Sequence, residues 1–372
     1  MKTAQLLLFC CLLVPAHMFG QTTLVAKGSA AWRYLDNGSN QGTTWRAAGF
    51  NDTTWAIGTA PLGYSNTPGF YGSYTLGTTV SYGGNSSAKY ITTYFRKTFN
   101  VANPATFASF TANILNDDGV VLYVNGTEAG RLGMPAGTIL YTTTANVTIT
   151  TATNYNTMSI NPALFVAGTN TLAVEIHQIS ATSSDIVMDL ELLGSPLSVN
   201  RGPYLQMNSS TAMTVRWRTN GATDSVIWTG TTQGVLTSST TVLTSGTEHE
   251  IRITGLQPDT KYYYAVGSTS GTLAGGDANH FFNTAPVPGT DRAMRIWVLG
   301  DAGTAGNTSG TGQFAVRDAY YGSAYYKFND MVFLLGDNAY NTGLDSEYQK
   351  ALFDMYPTVL RQSPVWSCLG NH

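Results

Sequence analysis

A chain of 372 residues is longer than one ordinary domain, and its formal net charge of −3 argues against nucleic-acid binding by bulk electrostatics. Only 11% of the residues are charged, whereas 43% are apolar. That is enough apolar surface to form a core, which excludes a disordered chain. Short alternating segments, separated by turns rich in Gly and Asn, instead favour β-rich folds.

Residues 1–20 have the layout of a secretory signal. Lys2 supplies a positive charge, residues 6–14 form a short apolar core, and small residues follow at Ala16 and Gly20. The apolar run is too short to span a bilayer, and no later segment of the sequence is long enough to do so. We therefore expect an exported protein, which is secreted, periplasmic or at the cell surface, without a transmembrane segment.

Residues 22–196 form a first block in which many short apolar runs predict strands. Leu172, Val174 and Ile176 alternate with their neighbours in the pattern of a half-buried strand. Asn125-Gly126 predicts a tight turn, because both residue types tolerate positive φ. The block resembles the galactose-binding-like jelly roll in three features: Trp45 and Trp55 on either side of residues 50–52, Asp117-Asp118-Gly119 before residues 123–126, and residues 170–174 leading to residues 184–185.

Two binding hypotheses follow for this block. A set of aromatic rings could stack on sugars at the loops, although filling or covering the core is the default role of such rings; the set is Trp32, Trp45, Trp55, Tyr64, Tyr71 and Tyr74. Asp117 and Asp118 could hold Ca²⁺, although an Asp-Asp-Gly turn accounts for them without a metal. A glycan is therefore the candidate partner of the jelly roll.

The second block covers residues 201–286 and predicts a β-sandwich. One of its strands buries Trp217, and residues 255–262 form a corner of the kind at which a tyrosine hydroxyl bonds back to the backbone. This pattern resembles fibronectin type III domains. Residues 202–206, together with His249, also resemble the N-terminal domain of purple acid phosphatases.

The third block covers residues 292–372, where the hydrophobic period changes. Helical stretches at residues 311–327 and 345–356 separate apolar runs, and Pro357 ends the second stretch. Continuous apolar runs predict strands buried on both faces; they are residues 296–299, 331–335 and 365–369. Alternation of strand and helix predicts a parallel sheet.

Each apolar run is followed by a glycine and an oxygen-bearing side chain. The sequences are Gly300-Asp301, Gly336-Asp337 with Tyr340 after it, and Gly370-Asn371-His372. Because ligands of an open parallel sheet bind outside the carboxyl ends of the strands, we expect Asp301, Asp337 and Asn371 side by side. Two carboxylates, an amide and a phenol suit hard cations. Two ions about 3.5–4 Å apart could hold phosphate and activate water, with Asp337 as the bridge.

The motifs Gly-Asp-x-Gly, Gly-Asp-x-x-Tyr and Gly-Asn-His, in this order, resemble those of calcineurin-like metallophosphoesterases, and Tyr340 is similar to the purple acid phosphatase branch. The resemblance implies that Asp301 and Tyr340 bind the first metal, that Asp337 bridges both and that Asn371 binds the second. It implies that His372 contacts the phosphate or protonates the leaving group. The implied metals are Fe with Fe, Zn or Mn. The implied fold is a jelly roll, a fibronectin type III-like sandwich and a partial α/β metallophosphoesterase domain.

The family uses further ligands, a lone His and a Gly-His-x-His motif, that this sequence lacks. The other histidines precede the predicted sheet and have no His-x-His spacing; they are His17, His177, His249 and His280. We therefore expect a fragment or truncated product without significant phosphatase activity of its own. The predicted function is a secreted hydrolase of phosphate monoesters. Two alternatives stay open: the same chemistry on diesters or nucleotides, and a non-catalytic carbohydrate- or surface-binding protein.

Overall fold

The computed structural model describes residues 20–66, 74–148, 154–305, 312–323 and 328–372. All but the last residue of the predicted secretory signal lies outside these ranges, and so does Tyr71 of the aromatic set. Within the described ranges, no helix combines the length and apolar character needed to cross a membrane.

Within the described residues, a first sandwich contains twelve strands in two sheets. The strands are β1 (Thr22–Val25), β2 (Trp32–Leu35), β3 (Ala56–Gly58), β4 (Leu62–Ser65), β5 (Thr78–Thr79), β6 (Thr92–Val101), β7 (Phe107–Asp117), β8 (Gly119–Val124), β9 (Thr127–Leu132), β10 (Asn156–Ile160), β11 (Gly168–His177) and β12 (Asp185–Pro196). The first sheet has the order β10-β7-β12-β4-β5, with β1 also paired to β12, and the second has the order β3-β2-β6-β11-β8-β9. Asn125 and Gly126 both have positive φ and connect β8 to β9.

The core of this sandwich lies between the two sheets. Leu122 and Val174 of the second sheet pack with Ile114 and Leu190 of the first, and all four are fully buried. Burial of each such side chain contributes about 1.5–3 kcal/mol, so the alternating apolar residues of both sheets dominate the stability of the sandwich.

The prediction that β11 is a half-buried strand was wrong. Leu172, Val174 and Ile176 do face the core, but Glu175 and His177 on the opposite face are also at most 2% exposed. A second apolar layer covers that face; its members include Trp45, Trp55, Tyr94, Tyr123 and Ile139. Trp45, Trp55 and Ile139 come from segments between strands, whereas Tyr94 and Tyr123 come from neighbouring strands of the same sheet, and strand periodicity alone does not reveal this cover.

The burial of the described aromatic rings agrees with their default role in the core and leaves no open stacking surface among them of the kind that the sugar hypothesis requires. Trp32 and Trp45 are 0% exposed, and Trp55 and Tyr64 are also buried. Tyr74 is half-buried and has an edge contact with Tyr155, with ring centroids 6.0 Å apart. The described rings of the set therefore belong to the packing of the sandwich, because the sheets and loops enclose them.

A second sandwich follows, with strands β13 (Val199–Gln206), β14 (Met213–Gly230), β15 (Ser238–Ile253), β16 (Lys261–Ser268), β17 (Gly271–Gly275) and β18 (Phe281–Asn283). Its sheet has the order β13-β14-β16-β17, with β15 paired to β14 and β18 to β16. Trp217 is 1% exposed in its core. At the corner, the backbone N–H of Gln257 donates to the Tyr262 hydroxyl at 3.0 Å, which is the backbone bond that the sequence predicted for a tyrosine there.

The last part of the described chain contains a parallel sheet. Its elements are β19 (Ile296–Leu299), α1 (Gly312–Gly322), β20 (Met331–Leu334), α2 (Asp345–Tyr348), a π-turn (Gln349–Phe353), α3 (Pro357–Leu360) and β21 (Val365–Ser367). The strands lie in the order β19-β20-β21 and pair in parallel. After the π-turn, Pro357 begins α3 and occupies its first turn, where a missing N–H costs nothing.

Only one face of this sheet is covered within the described residues, so the prediction of strands buried on both faces was wrong. Val332, Leu334 and Val365 are buried against the helices. Val298 on β19 is 50% exposed and Trp366 on β21 is 39% exposed. The apolar runs mark the strands correctly, but their burial depends on what packs against each face.

Polar contacts join the second sandwich to the elements around the parallel sheet. Arg201 and Arg218 both bind the Asp345 carboxylate, with Nη1 to oxygen distances of 2.8 and 2.7 Å. We call these three residues the interface cluster. The hydroxyl of Tyr264, which is 0% exposed, donates to the carbonyl of Arg361 at 2.8 Å. The sandwich thereby contacts both α2 and the residue after α3.

Tyr264→Phe is expected to lower the free energy of unfolding by about 1–3 kcal/mol, because the part-buried Arg361 carbonyl loses its donor. Tyr262→Phe is the matched control, since its hydroxyl accepts a bond at the exposed corner, and it should cost less than about 1 kcal/mol. Urea denaturation of both variants measures the difference. Equal costs would contradict the importance of the Tyr264 contact.

Candidate metal site

The three loops that follow β19, β20 and β21 meet at one edge of the parallel sheet. Asp301 and Asp337 lie just beyond the ends of β19 and β20, and Asn371 and His372 lie beyond β21. Asp301 and Asp337 each have a φ of 51°, in the left-handed region, and each follows a glycine. The chain thus turns sharply as soon as each strand ends, which keeps the polar residues at this edge.

Glycines allow these loops to touch backbone to backbone. A Cβ at Gly303 would lie 2.3 Å from the Ala339 nitrogen, and a Cβ at Gly370 would lie 1.9 Å from Oδ1 of Asp337. The Tyr340 N–H also donates to the Gly303 carbonyl at 2.9 Å. Residues with a side chain at these two glycine positions would push the loops apart, so the glycines are required for the site geometry.

Asp337 is the centre of the arrangement. Its Oδ2 accepts a hydrogen bond from the Tyr340 hydroxyl at 2.9 Å, and its Oδ1 accepts one from the backbone N–H of His372 at 3.1 Å. The Tyr340 bond, aided by backbone amides of Asn371 and His372, holds the pKa of Asp337 below its usual range against the opposing effect of desolvation. Asp337 is therefore ionised at neutral pH.

Tyr340 connects the two aspartates. The bond to Asp337 is the largest cause that raises the pKa of Tyr340 to about 12, and Asp301 adds a further charge and a side-chain hydrogen bond. The phenol accordingly keeps its proton at neutral pH unless a cation replaces that proton. The Tyr340 side chain thus interacts with both carboxylates, and its hydroxyl donates to Asp337.

The third loop joins the site chiefly through its backbone. Asn371 donates its backbone N–H to Asp337, and its residue surface is exposed. The His372 ring lies 4.8 Å from the Tyr340 ring between centroids, and its Nδ1 lies 2.8 Å from the carbonyl oxygen of Asn341. The structure therefore brings all five predicted residues to one edge, but only three of them meet through side-chain polar atoms.

Two residues that hold these loops were missed by the sequence reasoning. The Glu347 carboxylate accepts the backbone N–H groups of Asn341, Thr342 and Leu344 at 2.9–3.0 Å. Asn338 Nδ2 donates to the Cys368 carbonyl at 3.0 Å. A Glu in the first turn of a helix, as in α2, is a signal that can reveal the first contact; the second depends on loop packing and has no local signal.

The donor types at this edge fit a hard cation. Asp301 and Asp337 present carboxylate oxygens to the phenol oxygen of Tyr340, and Asn371 can add an amide oxygen. In the part of the chain that the structure describes, no group of three or more His, Cys, Asp or Glu side chains is arranged to hold a metal. The residues here therefore fit part of a coordination sphere made of oxygens.

The fold and this edge define a multidomain, mostly β protein with an oxygen-rich candidate metal site on a small parallel sheet. Residues 201–284 match the family described as "Purple acid Phosphatase, N-terminal domain". The chain is similar to purple acid phosphatase 15 of Arabidopsis thaliana, with 32% identity over 134 residues. It is also similar to purple acid phosphatase 23 of the same plant, with 39% identity over 69 residues.

These similarities cover limited parts of each protein. The first match covers 34% of this chain and 23% of the relative, and the second covers 18% and 15%. Among solved structures, PhoD has a TM-score of 0.35 at 15% identity, with 45% of this chain and 38% of that chain covered. A Bacteroides uniformis β-glucuronidase has a TM-score of 0.33 at 11% identity, with 94% and 47% covered. TM-scores this low do not establish a shared overall fold.

Gly303→Ala is expected to destabilise the protein by about 1–3 kcal/mol, because the new methyl group meets backbone atoms of residues 337–339. Gly322→Ala is the matched control, since a Cβ there meets nothing within 4 Å. Thermal unfolding of both variants measures the effect. An unchanged midpoint for Gly303→Ala would show that the loops are not closely packed in solution.

Proposed function

We propose that this chain contributes the oxygen ligands of a two-metal phosphoesterase centre that acts on phosphate monoesters. The contact of Tyr340 with both Asp301 and Asp337, at the carboxyl edge of a parallel sheet, is the observation on which this proposal rests. The similarity of residues 201–284 to the purple acid phosphatase N-terminal domain supports it independently of the site.

In this proposal Asp301 and Tyr340 bind the first metal, Asp337 bridges both and Asn371 binds the second. The bound metals, Fe with Fe, Zn or Mn, would supply charge stabilisation for phosphate and an activated water. His372 contacts the phosphate or gives a proton to the leaving group. Its ring already lies beside Tyr340, so a short shift of this exposed residue would bring its free nitrogen toward a bound ester.

The protonation states of Asp337 and Tyr340 support these roles. Asp337 is already ionised, whereas Tyr340 must lose the proton that it shares with Asp337 before it can bind a metal as phenolate. We infer that metal binding by these residues releases a proton and becomes tighter as the pH rises. Because the donors are four oxygens without a histidine ligand, they do not complete two coordination spheres, and the chain by itself should have no significant phosphatase activity.

The metal test uses the Tyr340 phenol as its own reporter. Fe(III) added to the chain should produce visible absorption from an iron–phenolate pair, and Tyr340→Phe should lose it while Tyr348→Phe keeps it. Asp337→Asn should weaken Fe(III) binding at least about tenfold, because it removes the bridging carboxylate. The same absorption in Tyr340→Phe would refute the assigned metal ligand.

Hydrolysis of p-nitrophenyl phosphate and of its bis ester, with and without a chelator, separates the remaining possibilities. Chelator-sensitive turnover that Asp337→Asn abolishes would support a phosphoesterase and disprove the expected inactivity. A preference for the bis ester would favour the alternative of a phosphodiesterase or nucleotidase. We further infer that residues 1–20 direct export, so that the protein acts outside the cytoplasm.

Carbohydrate binding is the second candidate function, supported by a cavity on the outer face of the first sandwich. The cavity is about 350 Å³, within the range of small-ligand sites, and Arg46, Tyr94, Tyr141 and Glu175 are among its lining residues. The buried Nε of Arg46 has no acceptor among the described residues. Retention of the chain on a glycan panel, lost in Glu175→Gln, tests this candidate; absence of retention would leave only a scaffold role.

A further inference from the structure

A buried acidic cluster lies at the turn between β7 and β8, on a different part of the molecule from the candidate metal site. Asp117 ends β7 and is 1% exposed, and Asp118 is 0% exposed. Asp117 is paired with Val187 of β12, and Asp185 begins the same strand two residues earlier. Alternation along β12 therefore directs Asp185 to the same face as Asp117.

The two buried aspartates differ in their hydrogen bonds. Oδ2 of Asp118 accepts the backbone N–H of Ile179 at 2.8 Å and the Ser183 hydroxyl at 3.3 Å. Neither carboxylate oxygen of Asp117 has a hydrogen-bond donor in the described part of the chain when both aspartates are ionised, although both oxygens are buried, and the side chain of Asp118 lies within hydrogen-bonding reach of Asp117. No ion pair within 4.0 Å reaches Asp117 from these residues. An isolated buried carboxylate costs several kcal/mol, so Asp117 needs a partner.

The ammonium group of Lys89 does not supply a partner for Asp117. Lys89 is 3% exposed, and its Nζ donates to the carbonyl of Ser183. The same Nζ lies 5.7 and 5.4 Å from the ring centroids of Tyr64 and Tyr82. The charge of Lys89 acts on Asp185, whose pKa it lowers in opposition to the larger effect of desolvation, but within the described residues no ion pair joins Lys89 to Asp117. The cluster therefore has more negative than positive charge.

Two agents could neutralise this cluster, a proton or a cation. Desolvation, followed by the charges of Asp185 and Asp118 and by a side-chain hydrogen bond with Asp118, raises the pKa of Asp117 to about 9. Without a cation, Asp117 would thus hold a proton at neutral pH and could donate it to Asp118. A shared proton and a bound cation would both draw the carboxyl groups of Asp117 and Asp118 together. Direct measurement of metal binding distinguishes these two arrangements.

We propose that Asp117 and Asp118 bind Ca²⁺, with Asp185 adding negative charge beside the ion. The available side-chain donors are all oxygens, which Ca²⁺ prefers and which suit Zn²⁺ less. Two carboxylates can suffice because Ca²⁺ also accepts backbone carbonyls and water in a flexible geometry. Asp185 is not counted as a ligand, because the described residues hold no set of three or more His, Cys, Asp or Glu around one point.

The ion would fasten two connections of the first sandwich. Asp118 already holds Ile179 and Ser183, which lie in the connection from β11 to β12, while Asp117 and Asp118 lie at the β7–β8 turn. Ca²⁺ bound at the cluster therefore ties this turn to that connection. Its expected role is to stabilise the first sandwich, independently of any phosphoesterase activity.

Thermal unfolding of the full chain in chelator-treated buffer, with increasing CaCl₂, tests the proposal. Saturating Ca²⁺ should raise the Tm by several degrees, because it binds the folded state and not the unfolded one. Asp117→Asn should lose this shift, whereas Asp337→Asn should keep it. Absence of a shift in the unmodified protein, or an equal shift in Asp117→Asn, would overturn the proposal and leave the proton as the neutralising agent.

Luminescence of Tb³⁺, a Ca²⁺ surrogate, provides a readout that does not depend on unfolding. Excitation of nearby tyrosines such as Tyr64 and Tyr82 should sensitise Tb³⁺ at the cluster, and Ca²⁺ should compete it away. If Asp117→Asn does not fold, Asp185→Asn serves instead; it keeps both ligands and should weaken Ca²⁺ binding about three- to tenfold by removing one neighbouring charge. An unchanged affinity in Asp185→Asn, or luminescence lost in Asp337→Asn alone, would contradict the assignment.

Discussion

The candidate metal site depends on how closely three loops approach one another around Asp337. Gly303 and Gly370 occupy positions where a Cβ would lie within 2.4 Å of the Asp337 loop. Their absence of a side chain lets the loops touch, and the touching loops bring Asp301, Asp337 and Tyr340 into contact. The arrangement thus rests on backbone packing first, and the polar side chains meet as its result.

This edge is also linked to the rest of the molecule. The loop after Tyr340 is held by Glu347 of α2, and Asp345 of the same helix binds Arg201 and Arg218 of the second sandwich. The second sandwich is therefore connected to the loop after Tyr340 through α2, which is a single helical turn. The sandwich that makes this connection includes residues 201–284, which match the purple acid phosphatase N-terminal domain, and it supports the loop that carries Tyr340.

The sequence patterns predicted the positions of the strands better than they predicted which strand faces are buried. The apolar runs marked β19, β20 and β21, and the glycines after them marked the turns at Asp301 and Asp337, because both signals are local. Burial was predicted poorly where it depends on distant segments. β11 is covered on one face by the other sheet and on the opposite face by segments remote in sequence, whereas Val298 is exposed although its run suggested burial. The tryptophans of the first block were buried for the same reason.

The sequence by itself determined which residues could act as metal donors and which strands would present them, since residue chemistry and hydrophobic periodicity are properties of short segments. Only the tertiary structure decided which donors touch, which remain unpaired and which are enclosed. Tyr340 became a link between two aspartates, and Asp117 became a carboxylate without a partner, through packing of segments far apart in the chain. Such contacts depend on the relative positions of whole elements, which no local pattern encodes.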